Sequence, residues 1–99
     1  MSSFKLIINP FAELDLHVAY EWYNLKKNGL GKEFLNEVEI TLDRVHQNPH
    51  QFQKIKKQIR MAVVKHFPFG VFYFVKNDVI NVFAIFHFSR NPQNLKKRL

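Results

Sequence analysis

The stretch Ile59–Arg90, IRMAVVKHFPFGVFYFVKNDVINVFAIFHFSR, restricts the fold more than any other part of the chain. Three runs of β-branched and aromatic residues follow one another, broken by two turn signals. The first break is Phe67-Pro68-Phe69-Gly70, where proline fixes φ and glycine permits unusual dihedrals. The second is Asn77-Asp78, a pair that tolerates the left-handed conformation of a tight hairpin. The stretch predicts an antiparallel meander with strands over 59–66, 70–76 and 79–88. What precedes it reads as the layer that packs on this sheet.

A two-residue loop at Asn77-Asp78 sets a register. Val75 then faces Ile80, Tyr73 faces Val82 and Val71 faces Ala84, and alternation puts these six on one face together with Phe86. That face is apolar with one phenol and suits a core. Phe72, Phe74, Asn81, Phe83, Ile85 and His87 fall on the other face. In the preceding strand Ile59, Met61 and Val63 suit the core side, which turns Arg60, Ala62 and Val64 outward.

Upstream, residues 4–8 read as a short strand. Asn9-Pro10 supplies a helix cap followed by proline at the first helical position. Phe11, Leu14, Val18, Trp22 and Leu25 recur at helical spacing as an amphipathic stripe. Lys26-Lys27-Asn28-Gly29 closes this helix, expected over 10–27. Phe34, Leu35, Val38, Leu42 and Val45 form the stripe of a second helix, expected over 31–47 and ending before Pro49. Residues 49–58, PHQFQKIKKQ, read as a polar, basic connection. Asn91-Pro92 looks like the cap of a short terminal helix. The expected architecture is a single α+β domain over residues 1–99, a two-layer β-α-α-β-β-β arrangement with a helical hairpin packed on an antiparallel sheet. A helical hairpin that returns the chain to where the first strand finished lets that strand join antiparallel.

Charge separates the two halves of the chain. Residues 1–50 hold 5 Lys/Arg against 7 Asp/Glu, whereas residues 51–99 hold 10 against 1. A basic half of this kind favours phosphates or an acidic protein as partner. With no cysteine, disulfides and thiolate chemistry are excluded. The histidines show no metal-ligand spacing, and no glycine-rich phosphate loop occurs, so neither metal nor cofactor is expected. No apolar run approaches the ~20 residues of a membrane span, which makes a cytoplasmic protein without membrane contact the default.

The order Asn9-Pro10, helical hairpin, Arg60, Phe67-Pro68-Phe69, Val71–Val75, Val82–His87 and Ser89-Arg90-Asn91-Pro92 resembles the RelE/ParE superfamily of type II toxin–antitoxin toxins. ParE-like members are the nearer match, and the likeness runs over nearly the whole chain. It implies a small toxin neutralised by a cognate acidic antitoxin, acting either on DNA gyrase, as ParE-like members do, or on mRNA in the ribosome, as RelE-like members do. A homodimer or a toxin–antitoxin hetero-oligomer is compatible with it, and so is an inactive basic relative that binds nucleic acid.

RNA cleavage without a metal requires a proton acceptor, a proton donor and charge stabilisation at the phosphorane. Arg60, His87 and Arg90 are the candidate catalytic set, the resemblance placing Arg90 where ribosome-dependent members carry an arginine after the last strand. Gly70 stands where such enzymes often have another arginine, and Phe88 where some have tyrosine. These departures favour the gyrase reading. Phe72, Phe74, Phe83 and Ile85 form the expected antitoxin-binding face, too apolar to stay wet. Lys54, Lys56, Lys57, Lys96, Lys97 and Arg98 form the expected target-binding basic surface.

Overall fold

The computed structural model describes residues 3–99. Strand β1 (Lys5–Ile8) leads into helices α1 (Pro10–Lys26) and α2 (Leu30–Gln47), followed by a 3-10 turn (Pro49–Gln51). Strands β2 (Lys54–Lys56), β3 (Ile59–Val63), β4 (Phe69–Lys76) and β5 (Val79–His87) come next, and helix α3 (Gln93–Lys96) ends the chain. The strands make one sheet in the order β1-β5-β4-β3-β2. Helices α1 and α2 cover one face, and α3 lies against the other through Leu95.

Local chemistry explains the element ends. The Asn9 side chain accepts the Ala12 N–H at 2.9 Å, and Pro10 begins α1 with its φ already set. Gly29, at φ 89°, turns the chain between the helices. Asn77 and Asp78 have φ of 52° and 61°, both positive as a type I′ hairpin requires. The α2 stripe is also as expected: Phe34, Val38 and Val45 are buried against Tyr73, Ile80 and Val82.

Four features depart from the sequence reading. First, the basic connection contains β2, an edge strand whose three residues are all exposed. Lys54-Ile55-Lys56 holds a single apolar residue, too short an alternation to mark a strand.

Second, β1 is parallel to β5 rather than antiparallel to a neighbour, with Lys5 opposite Val79 and Ile8 opposite Val82. The cause is the path of α1, which does not double back over β1. It runs on beside β5, placing Asp15 at Ile85 and Tyr23 at Phe69. Helix α2 then returns the chain to the start of β1, where His46 Nε2 donates to the Phe4 carbonyl at 2.7 Å.

Third, the α1 stripe faces outward. Phe11, Leu14, Val18, Trp22 and Leu25 are all more than half exposed, and α1 instead buries Ala12, Ala19 and Tyr23. Small residues bring the helix close to the sheet, and the larger side chains are left on the outside.

Fourth, a β-bulge inverts the faces of β5. Tyr73 lies opposite Val82 but Phe72 lies opposite Ala84, so Phe83 is an extra residue. Beyond it Ile85 joins the helix-side core, whereas Ala84 and Phe86 join a second cluster with Phe72 and Phe83. The β3 assignment is also reversed. Arg60 pairs with Tyr73, so Ala62 and Val64 lie on the helix side while Ile59 and Met61 pack on the far side.

Candidate functional site

The basic half of the sequence converges on the far face of the sheet. There a groove of about 1100 Å³ runs between the β2–β3 turn and α3, with Ile59, Phe74 and Phe83 on its floor and Leu95 in its wall. Lys56, Lys57 and Lys96 stand at its rim. Lys57, at φ 49°, makes the sharp turn that carries these lysines, and α3 delivers Lys96 from the other side. The neighbouring Lys96 side chain, through hydrogen bonding and then its charge, lowers the Lys56 pKa from its ordinary value, with slight desolvation and the Lys57 charge adding to the shift. Lys54 lies on the same edge strand, opposite Arg60, and Lys97 is exposed at the end of α3.

Arg98 has a different role from its basic neighbours. Its two guanidinium nitrogens reach the two oxygens of Asp15 at 2.5 and 2.9 Å, and Nη1 also donates to the Phe83 carbonyl at 3.1 Å. Asp15 in turn accepts the Ile85 N–H at 3.0 Å, its side chain only 6% exposed. Phe83 C=O and Ile85 N–H flank Ala84 on the β5 edge beyond the last β1 pair, Ile8 with Val82. In a parallel ladder one neighbouring residue would bond both groups. The Asp15–Arg98 pair takes that place. Sequence reasoning missed Asp15, whose signal is an acid set between the buried Ala12 and Ala19 on the sheet-facing side of α1.

The three candidate catalytic residues do not meet. Arg60 donates to the carbonyls of Phe52 and His50 at 2.5 and 3.2 Å, beneath the 3-10 turn. His87 sits opposite Phe69, whereas Arg60 sits opposite Tyr73. Four strand residues put them roughly 13 Å apart along β4, with two strand spacings of about 4.8 Å between β3 and β5. His87 Nδ1 accepts the Ser89 N–H at 3.0 Å, which places the ring proton on Nε2. Arg90 is near His87 but stacks on Phe86 with its guanidinium carbon 3.9 Å from the ring centroid, and it reaches Asp15 at 3.4 Å. A Cβ at Gly70 would come within 2.9 Å of the Met61 side chain and 3.1 Å of the Phe88 ring, so a larger residue there would require Met61 to shift.

The expected antitoxin-binding face is largely closed. Ile85 is buried on the helix side, and Phe72 and Phe83 are 6 and 2% exposed. Only Phe74 of the four is partly open, within the groove. Leu95 covers part of this cluster, and Arg90 and Arg98 lie over Phe86. Among the described residues no three His, Asp or Glu side chains gather as a metal site would require. No helix among them is long and apolar enough to cross a membrane.

A family model described as the ParE toxin of the type II toxin–antitoxin system parDE matches residues 6–92. The chain belongs to the ParE toxin family. It is thus a toxin component of a type II pair, and its counterpart is an antitoxin. Solved structures with similar folds include a chain of the chromosomal ParDE system from P. aeruginosa, with a TM-score of 0.77 at 17% identity, covering 85% of this chain and 95% of that one. A copper-bound mutant toxin from Helicobacter pylori gives a TM-score of 0.51 at 24% identity, covering 87% of this chain and 96% of that one. At such identities the likeness to both is one of fold. No curated protein matches the sequence. Against this ParE-family background, the α1–α2 pair on a mixed sheet is the shared frame, and the lysine-rimmed groove is this chain's feature of interest.

Proposed function

We propose that this ParE-family toxin arrests growth by binding DNA gyrase in the cytoplasm, without cutting RNA, and that a cognate acidic antitoxin neutralises it. The separation of Arg60 from His87 and Arg90 carries this reading. A ribonuclease needs acid, base and charge stabilisation within reach of one phosphate. Here Arg60 is committed to two backbone carbonyls, Arg90 to Asp15 and the Phe86 ring, and His87 Nδ1 to Ser89. The groove with Lys56, Lys57 and Lys96 around Phe74 is the target-binding surface, an apolar floor with cations at its mouth. Such a surface suits an acidic protein segment, since complementary charge speeds encounter and apolar burial slows release.

The test measures gyrase supercoiling and cleavage of ribosome-bound mRNA side by side with the purified protein. Inhibition of supercoiling without mRNA cleavage is expected, with His87→Asn and Arg60→Lys keeping most of the effect. Codon-periodic mRNA cleavage that falls on the order of a hundredfold in His87→Asn, the scale of lost general acid–base catalysis, would replace this reading with the ribonuclease one.

A further inference from the structure

The far-face groove is polarised along its length. It crosses the sheet from Ile7 on β1 to Ile55 on β2, the two edge strands. Four strand spacings of about 4.8 Å make that crossing roughly 19 Å. The open cations gather at the β2 end. Lys56 and Lys57 stand on the β2–β3 turn, and Lys96 of α3 is near enough to lower the Lys56 pKa. Arg98, the remaining cation of the lining, is already held by Asp15. Among the described residues no Asp or Glu side chain lines the groove.

At the β1 end the polar side chains are engaged and the apolar ones are not. The Asn81 amide donates to the Val79 carbonyl at 3.2 Å, and the Asn9 side chain accepts the Ala12 N–H. Ile7 is left 42% exposed there. Between the two ends Phe74 is partly open and Leu95 forms the wall.

This layout selects among anions. A nucleic-acid strand calls for cations along its whole path and open ring faces for its bases. Here the cations share one end, and Phe83 is buried. A second copy of this chain would bring a further net charge of +7 to the lysines. A single acyl chain spans about 15 Å, half the ~30 Å hydrocarbon core of a bilayer. It fits within the crossing with its head at the lysines. The volume of about 1100 Å³ accommodates it, since small-ligand sites commonly offer ~300–1,000 Å³ lined mainly by apolar groups.

We propose that the far-face groove binds a single-chain anionic amphiphile of the fatty-acid class, with its carboxylate at Lys56 and Lys96 and its chain across Phe74 toward Ile7. The binding stands on the shape and charge of the groove itself. Its consequence, that a bound amphiphile excludes the target, rests on the reading above that this groove engages gyrase.

The probes are octanoate, decanoate and dodecanoate, each kept below its aggregation threshold and titrated calorimetrically into the full-length protein. One-to-one binding should tighten about tenfold per two-carbon step, within the roughly fourfold that each fully buried methylene can supply. Dodecanol and dodecyltrimethylammonium should bind about tenfold more weakly than dodecanoate, the scale of one charge-assisted contact. Lys56 and Lys96 are both exposed, so the double variant Lys56→Gln, Lys96→Gln should lose the same factor with its melting unchanged. Trp22, the only tryptophan, lies on the exposed face of α1. Its emission should stay constant, which separates the groove from that other apolar surface. Affinity indifferent to chain length, equal binding of the three head groups, a double variant that binds like the parent, or a shift in Trp22 emission would overturn the proposal. Uptake by anionic phosphatidylglycerol vesicles without one-to-one binding of monomeric dodecanoate would also overturn it, assigning the lysines to a membrane surface. Dodecanoate that binds as expected yet leaves gyrase inhibition intact would keep this inference and move the target surface elsewhere.

Discussion

Lys56 and Lys96 stand as neighbouring like charges at the mouth of the far-face groove, with Lys57 beside them, and Lys96 lowers the Lys56 pKa. Like charges kept this close oppose each other, and their arrangement is relieved when an anion arrives. Lys96→Glu should therefore act in two directions. It creates an exposed ion pair with Lys56, of little consequence for stability, and it removes the attraction for an acidic target. Thermal melting unchanged or slightly raised, together with weaker gyrase inhibition, is the expected pair of results. A stable variant with full inhibition would move the target surface away from the groove.

Asp15→Asn tests the side-chain substitute for a strand. Asparagine keeps an acceptor for the Ile85 N–H but leaves Arg98, whose side chain is 13% exposed, without its counter-charge. Breaking a buried pair from one side costs about 3 kcal/mol. In a domain of this size the melting temperature should fall by more than about 10 °C. Differential scanning calorimetry measures this directly. A deletion of Lys96-Lys97-Arg98 would mix this loss with the loss of target charge, so Lys96→Glu and Arg98→Ala need separate measurement.

Gly31→Ala should destabilise the helical hairpin. Gly31 lies where α2 meets α1, and a Cβ there would come 2.5 Å from the Tyr20 carbonyl oxygen and 2.7 Å from the Asn24 side chain. The Asn24 Oδ1 also accepts the Gly31 N–H at 2.8 Å. Overpacking of this kind costs about 1–3 kcal/mol. Urea unfolding should show a lower midpoint with an unchanged slope.

Alkaline stability should depend on Tyr73. Its hydroxyl donates to the Pro49 carbonyl at 2.6 Å, and the residue is fully buried. Burial pushes its pKa up to about 12, against an opposing pull from the Arg60 charge. The neutral phenol is thus favoured by folding, so its contribution is complete below pH 10 and is lost as pH rises from about 10 through 12. Tyr73→Phe should cost about 1 kcal/mol at neutral pH through the lost hydrogen bond. The stability gap between the variant and the parent should narrow above pH 10, followed by denaturant midpoints across the alkaline range.

Local chemistry made much of the fold legible in the sequence. Asn9-Pro10, Asn77-Asp78 and the α2 stripe each act through contacts within a few residues, and each behaves as its chemistry requires. What escaped depends on distant parts of the chain. The extra residue Phe83 has no signature of its own, because a run of aromatic and aliphatic residues reads equally well in either phase. The α1 stripe misled for a related reason: periodicity identifies an apolar face but not what covers it, and Ala12 and Ala19 were the residues facing the sheet. The candidate site shows the same division. Lys56, Lys57 and Lys96 were recognisable as cations and do gather at one groove. Arg90 and Arg98 look identical to them in sequence, yet Asp15, 75 and 83 positions away, claims both.

The short reach of β1 has one more consequence. β1 covers β5 only as far as Val82, so the upper edge of the sheet is finished by side chains instead of backbone. An unfinished edge of this kind is a template on which another chain can add a strand. Arg98, bonded to the Phe83 carbonyl, and Asp15, bonded to the Ile85 N–H, occupy that template. Arg98→Ala would open the Phe83 C=O, on a strand rich in phenylalanine, while Asp15 still held the Ile85 N–H. That variant would then be expected to aggregate more readily than the parent, so Arg98 would matter for solubility as much as for shape.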